Sequence, residues 1–188
     1  YLETRFTGGK LSVKVSETGT SYYNVFVDGK LHKVVKVCGT DTLIHLVSGI
    51  DKRIHSLKIQ KRSEGEFGKT TVHQFVLSGS GRLAEELAVR TRHIEFIGNS
   101  LTCGYGTDGK HRDEPFLVET ENCNLTFASM VARYYDADYT LIAHSGRGAA
   151  RNYGDSVRVS KVTMKDRMLN TFDEDLTHKW NFKEYRPD

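Results

Sequence analysis

The sequence predicts two domains of different class, an all-β sandwich or jelly roll over residues 1–88 and an α/β unit over residues 89–188. Three observations carry this. Apolar residues alternate with a period of two up to about residue 80, the pattern changes near residues 82–92, and a strand–helix–strand order follows. In the first part Leu11, Val13 and Val15 share a face, and Tyr23, Val25 and Val27 repeat the spacing. Asp28-Gly29 supplies a hairpin turn, since a type I′ turn needs positive φ at both central positions, and residues 31–37 run back from it. Strand-like stretches recur at residues 42–47, 53–60 and 72–77, separated by the turn signals Ser48-Gly49 and Glu64-Gly65. Five or six such strands without a long helix make a sandwich or jelly roll.

In the second part residues 93–97 (HIEFI) form a short apolar strand that ends in Gly98-Asn99-Ser100. A glycine-rich polar loop occupies residues 104–115. Residues 122–135 then predict a helix with Leu125, Ala128, Val131 and Ala132 on its inner stripe. Residues 138–143 are a second apolar strand, closed by Ser145-Gly146-Arg147-Gly148. This order is a βαβ unit with a parallel sheet. Helical character returns at residues 160–169, and residues 184–188 read as the lead-in to a third strand. Two parallel strands alone would leave sheet edges and helix faces uncovered, so this half is expected to be incomplete.

Composition narrows the function classes. The 188 residues are 38% hydrophobic and 27% charged, which excludes a disordered tail or a coiled coil. Two prolines exclude Pro-rich linkers, and no apolar run approaches the roughly 20 residues of a membrane span. The opening residues contain no signal-peptide h-region. A net charge of +3, spread without blocks, argues against nucleic acid as a partner. Cys38, Cys103 and Cys123 lack zinc-site spacing; a Cys103–Cys123 bridge and buried free thiols are both compatible, with free thiols favoured. No cluster of ligating residues suggests a metal, and no cofactor is expected.

Open α/β sheets place their sites beyond the carboxyl ends of their strands. Ser100 stands there, with Gly98 two residues earlier to permit a tight turn. Its hydroxyl can be presented at a helix start, where unpaired N–H groups stabilise an oxyanion; the plainer alternative is a simple N-cap. Gly146 offers a backbone N–H to the same crevice, or is an ordinary turn glycine. Residues 104–109 fit G-x-G-x-x-G, but the first glycine lies seven residues after Ile97 and Lys110-His111-Arg112-Asp113-Glu114-Pro115 follows, which is no helix. A serine nucleophile needs a general base. Among His93, His111, His144 and His178, His144 reads as a structural or rim residue and His178, near Trp180, as a packing or capping group. Tyr22, Tyr23 and Phe26 are aromatic candidates for sugar contact, with strand core the plainer reading.

The run from Arg92 through Gly98-Asn99-Ser100-Leu101 to Cys103-Gly104-Tyr105-Gly106 resembles the first motif block of the SGNH (GDSL-type) hydrolases, closest to the acetyl esterases of carbohydrate esterase family 2. Similarity continues through Glu121-Asn122-Cys123, Phe127-Ala128, Ala132-Arg133, Ala143-His144-Ser145-Gly146-Arg147-Gly148 and Arg151-Asn152-Tyr153-Gly154. In the first half Val25-Phe26-Val27-Asp28-Gly29 and Lys61-Arg62-Ser63-Glu64 resemble that family's jelly-roll domain.

The resemblance implies a jelly-roll β-sandwich followed by the first part of an SGNH-type three-layer α/β/α hydrolase domain. It implies Ser100 as nucleophile on an acetyl carbonyl, with the Ser100 and Gly146 N–H groups as oxyanion donors. The family's third donor, an asparagine in a G-x-N-D block, and its base histidine, in a D-x-x-H block near the C-terminus, are not recognised in this chain. Asn99 stands where the family block has aspartate, a residue that supports the turn. The implied function is a secreted or periplasmic esterase acting on acetylated polysaccharide such as xylan or mannan. This chain is expected to be the N-terminal portion, entering the jelly roll after its first strand and inactive alone. Its partner would be the remaining C-terminal part, in the same polypeptide or as a separate chain cut near Asp188. A carbohydrate-binding module that has lost catalysis is the alternative.

Overall fold

The computed structural model describes residues 1–85, 88, 90–172, 174–184 and 187–188. They divide into two compact units, Tyr1–Arg62 with Phe67–Val89, and Ser63–Glu66 with Arg90–Asp188. Among the described residues no helix is long and apolar enough to cross a membrane.

The first unit contains β1 (Leu2–Glu17), β2 (Thr20–Val27), β3 (Lys30–Cys38), β4 (Thr42–Lys61), β5 (Thr70–Ser78) and β6 (Arg82–Leu83). The pairing is antiparallel in the order β3-β2-β4-β1-β5, with β6 beside β1. The hairpin at Asp28-Gly29 forms as expected, with φ of 50° and 75°. Its aspartate does more than turn the chain. Asp28 Oδ1 accepts the Ser56 N–H at 2.9 Å and Oδ2 meets Nδ1 of buried His55 at 2.7 Å, while Asp51 Oδ1 holds the other ring nitrogen at 3.0 Å.

Two expectations are corrected here. The strand read from the alternation of Leu11, Val13 and Val15 starts much earlier, at Leu2, and residues 42–47 and 53–60 are one 20-residue strand. Ser48-Gly49 does not end that strand because the ladder absorbs it. Gly9 pairs with Ile50 and Leu11 with Val47, so Ser48 and Gly49 lie opposite Lys10 alone. Gly9, at φ 79°, has no space for a side chain; a Cβ there would sit 2.6 Å from the Gly81 nitrogen. Phe6, Leu11, Val25, Leu46 and Leu57 lead the core cluster with at most 1% exposure. Each such side chain contributes about 1.5–3 kcal/mol of burial free energy.

The second unit carries β7 (His93–Gly98), α1 (Ser100–Cys103), α2 (Phe127–Tyr134), β8 (Asp138–Ala143), α3 (Met164–Arg167), β9 (Asn170–Phe172) and β10 (Asp175–Lys179). β7 and β8 pair in parallel from His93↔Asp138 to Gly98↔Ala143, the expected βαβ order. The expected helix over 122–135 is interrupted. Thr126, at φ −80° and ψ 160°, separates a 3₁₀ turn at Cys123–Leu125 from α2. Ala128 and Ala132 are fully buried, whereas Leu125 and Val131 are 42% and 38% exposed, and Ser129 takes the inner position by donating to the Cys123 carbonyl at 2.7 Å. Helix over 160–169 reduces to the single turn α3, opened by a Thr163–Asp166 capping box.

Ile97, Leu101, Phe127, Met130 and Tyr134 are exposed, in keeping with the uncovered faces expected for this half. The expected third-strand lead-in includes Tyr185 and Arg186, which lie outside the described residues, as do Glu86, Leu87 and Val89 near the expected domain boundary. Asp188 itself sits beside β7. Its N–H donates to the His93 carbonyl at 2.9 Å and its carboxylate accepts the His93 N–H at 2.7 Å.

Candidate functional site

The register of β7 against β8 puts Ser100 and Gly146 at one edge of the parallel pair. Gly98 pairs with Ala143, so Ser100 lies two residues and Gly146 three residues beyond adjacent strand ends. Asn99, not Ser100, is the N-cap of α1. Its side-chain oxygen accepts the Leu101 N–H at 3.1 Å, and its carbonyl accepts from Thr102 and Cys103. Asparagine keeps the acceptor that an aspartate would supply. The Ser100 hydroxyl is therefore not spent on capping. Among the described residues it makes no hydrogen bond, and neither do the N–H groups of Ser100 and Gly146.

Gly98 has a different role from the tight turn expected of it. A Cβ on it would lie 2.0 Å from Thr102 Oγ1 and 2.8 Å from Thr102 Cβ, so its bare Cα lets α1 fold back closely against β7. Gly146 has φ 74°, a left-handed conformation that disfavours any side chain, and its carbonyl accepts the Tyr153 N–H at 2.8 Å. Gly148 is held by Asn152, whose Oδ1 accepts its N–H at 3.3 Å while Nδ2 donates to the Val162 carbonyl at 2.8 Å.

A buried acidic cluster underlies this edge, and residue patterns gave no sign of it. Glu64 Oε2 accepts the Ser145 N–H at 2.6 Å and Oε1 accepts the Ser145 hydroxyl. The Glu64 N–H donates to Glu121 Oε2 at 2.8 Å. Glu121 is fully buried, and its carboxyl pKa is pushed up to about 9 by that burial and by the side-chain hydrogen bond to the Glu64 carboxyl group, against the opposing pull of the Glu64 backbone N–H. The neighbouring Cys103 thiol is pushed far up by burial and by the Glu64 carboxylate, which keeps it an inert thiol. Cys103 and Cys123 are buried free thiols, and Cys38, expected to be buried, is an exposed one.

None of the four histidines considered meets Ser100. His144, 2% exposed, lies between Glu66 (Nε2 to Oε2, 3.4 Å) and Glu174 (Nδ1 to Oε1, 3.3 Å), the structural placement expected of it. His93 donates to or accepts from the Thr140 hydroxyl at 2.9 Å, and His111 lies in the exposed 104–115 loop. His178 is not a packing group. It is exposed, with Nδ1 2.6 Å from Asp175 Oδ2. Asp175-Leu176-Thr177-His178 does have D-x-x-H spacing, contrary to the sequence reading, but it stands on the β9–β10 hairpin with no hydrogen bond to Ser100. The G-x-G-x-x-G glycines form turns after α1, not a strand-to-helix phosphate loop: Gly104 is the C-cap of α1 at φ 87°.

Two clusters hold three potential ligating groups, Glu64–Cys103–Glu121 and Glu66–His144–Glu174. In the first the Ser145 donors occupy both Glu64 oxygens, and in the second the two imidazole nitrogens face different carboxylates. In each cluster one ligand atom from every residue lies within 4.8 Å of the others, so the fold assembles two ligating groupings that the sequence was not expected to contain.

A serine just beyond the end of a parallel strand, with unpaired N–H groups beside it among the described residues, is an arrangement able to hold an oxyanion. Residues 1–86 match the carbohydrate esterase 2 N-terminal family. Along 99% of its length the chain is 32% identical to the cellulase/esterase CelE of Acetivibrio thermocellus, covering 22% of that protein. Along 97% it is 31% identical to an acetylxylan esterase / glucomannan deacetylase of Cellvibrio japonicus, covering 50% of it. A solved family two carbohydrate esterase from Clostridium thermocellum, in complex with cellohexaose, matches 98% of the chain with a TM-score of 0.90 at 32% identity, over 55% of that structure. Along nearly its whole length the chain is similar to family 2 carbohydrate esterases. It spans about half the length of the Cellvibrio relative and of the solved structure, and less of CelE.

Proposed function

We propose that this chain forms the first part of a serine esterase that removes O-acetyl groups from plant polysaccharide, acetylated xylan or mannan. Residues 1–88 serve as its jelly-roll β-sandwich, and residues 89–188 begin its SGNH-type α/β/α domain. The supporting observation is the uncommitted Ser100 hydroxyl with the unpartnered N–H groups of Ser100 and Gly146 at one strand edge. Ser100 Oγ attacks the acetyl carbonyl while its proton passes to a histidine supplied by the rest of the protein. The carbonyl oxygen takes up the negative charge and is held by the two N–H groups. The sugar–oxygen bond to the acyl carbon breaks, the sugar hydroxyl leaves with that proton, and water releases acetate from the acetyl-enzyme. These steps use only protein groups and water, and the likeness to carbohydrate esterases supports a secreted or periplasmic location.

The deciding experiment is acetyl release from acetylated xylan and glucomannan by the complete protein and its Ser100→Ala variant. Turnover is expected in the first and loss of about 10³-fold or more in the second. Near-normal turnover by the variant refutes the assignment. The 188-residue chain alone is expected to be inactive. A second reading, a binding module without catalysis, draws on the absence of any hydrogen bond between Ser100 and a histidine among the described residues. Binding of acetylated xylan without labelling of Ser100 by a serine-directed organophosphate, again in the complete protein, would favour it.

A further inference from the structure

We propose that Glu64 is a positioning residue for the reaction, clamping Ser145 so that the Gly146 N–H is held toward the oxyanion. The inference rests on the assignment of Ser100 and Gly146 made above. The residues immediately before Gly146 are tied down by a two-point grip: Ser145 donates both its N–H, at 2.6 Å, and its hydroxyl to the two oxygens of one carboxylate. Charge-assisted, bidentate hydrogen bonds of this kind fix orientation as well as position. A peptide plane gripped through its N–H cannot rotate freely, and the next plane carries the Gly146 N–H.

The grip is itself anchored. Glu64 is 6% exposed, and its backbone N–H donates at 2.8 Å to Glu121, a fully buried side chain. Burial pushes the Glu121 carboxyl pKa up to about 9, which disfavours negative charge on Glu121 beside the Glu64–Ser145 grip. Gly146 needs such external support. At φ 74° it sits in a turn closed by the Arg147 N–H donating to the His144 carbonyl at 3.2 Å, and among the described residues its own hydrogen bonding is limited to the carbonyl side. The residue that supplies the support lies in the Lys61-Arg62-Ser63-Glu64 segment, remote in sequence from both candidate site loops.

The test uses the complete protein in two readouts, one independent of activity. Hydrogen exchange of the peptide spanning residues 143–148 is measured in wild type, Glu64→Gln and Ser145→Ala, alongside acetyl-ester kinetics. Amide exchange in that peptide is expected to accelerate at least about tenfold in Glu64→Gln, which weakens the charge-assisted grip. In the same variant kcat is expected to fall about 10- to 100-fold with KM within about twofold, since the lost effect belongs to the transition state. Ser145→Ala, which removes only the hydroxyl, is expected to fall between wild type and Glu64→Gln. Unchanged exchange and unchanged kcat in Glu64→Gln overturn the inference. If that variant does not fold, unchanged values in Ser145→Ala overturn it instead. An inactive wild type would refute the esterase reading, while the exchange data would still decide whether Glu64 holds the Ser145–Gly146 turn.

Discussion

Replacing Glu121 by glutamine should make stability less dependent on pH and raise it at neutral pH. An unfolded glutamic acid titrates near the ordinary value of 4.5, whereas folded Glu121 titrates near 9, so folding at any pH between these values takes up a proton. The stability associated with this group is fully present below pH 4.5 and is lost as pH rises toward 9. Between pH 5 and pH 7.5 that loss is 2.5 pH steps at 1.36 kcal/mol each, about 3 kcal/mol. Glutamine carries no such cost. Its amide oxygen can accept the Glu64 N–H that Glu121 accepts at 2.8 Å, and its N–H can replace the acid proton toward the Glu64 carboxylate. Glu64, Glu66 and Cys103, the other titratable groups that act on Glu121, are common to both proteins. Urea unfolding of wild type and Glu121→Gln at pH 5 and pH 7.5 should show the difference between them widening by about 3 kcal/mol in favour of glutamine. Parallel pH dependences, or a wild type that gains on the variant as pH rises, would refute the reasoning.

Two further outcomes are expected from other parts of the molecule. Gly98→Ala forces a methyl group to within 2.0 Å of buried Thr102 Oγ1, so unfolding in urea should show a loss of about 1–3 kcal/mol. Adding Thr102→Gly should recover part of it; an unshifted midpoint for the single variant would contradict the close packing of α1 on β7. His55 should titrate above its ordinary 6.5 because hydrogen bonds to Asp28 and then Asp51 favour its charged form against the cost of burial. Its contribution to stability is then full below pH 6.5 and disappears as pH rises through the elevated value. An NMR titration of the ring would show this, and Asp28→Asn should lower the midpoint; a wild-type midpoint at or below 6.5 would be incompatible with the two-carboxylate cage.

How far the fold could be read from residues depended on how local its causes were. The Asp28-Gly29 turn was legible because two adjacent residues dictate it, and β7 and β8 because their apolar runs are short and closed by turn residues. Ser48-Gly49 misled because a glycine at φ 69° serves a bulge as well as a turn, and only the partner strand decides between them. The helix over 122–135 misled in a similar way. Thr126 turns extended without any proline or glycine to mark it, and Ser129 is buried because the Cys123 carbonyl receives its hydroxyl. At the site, the position of Ser100 after a strand was legible, while the assignment of the cap to Asn99 turned on one side-chain rotamer. Glu64 and Glu121 stand 57 residues apart and follow no periodicity, so their pairing had no signature in spacing. The glutamates within the Lys61-Arg62-Ser63-Glu64 and Glu121-Asn122-Cys123 runs of resemblance were the available signals.

The allocation of Ser63–Glu66 to the second unit has a bearing on how such a protein can be recombined. The chain passes from one unit to the other at 62/63, again at 66/67, and again after residue 89. A modular protein with one crossing can trade either half for a homologue at a single breakpoint in its gene. Here a breakpoint between residues 88 and 89 would carry Glu64 away with the sheet and leave Glu121 and Ser145 with a foreign partner. Chimaeras between relatives should therefore tolerate exchange only where the donor sheet brings a glutamate at the same place. Inheritance of the two units is coupled through four residues, and libraries built by swapping front halves should be screened with that position as the first filter.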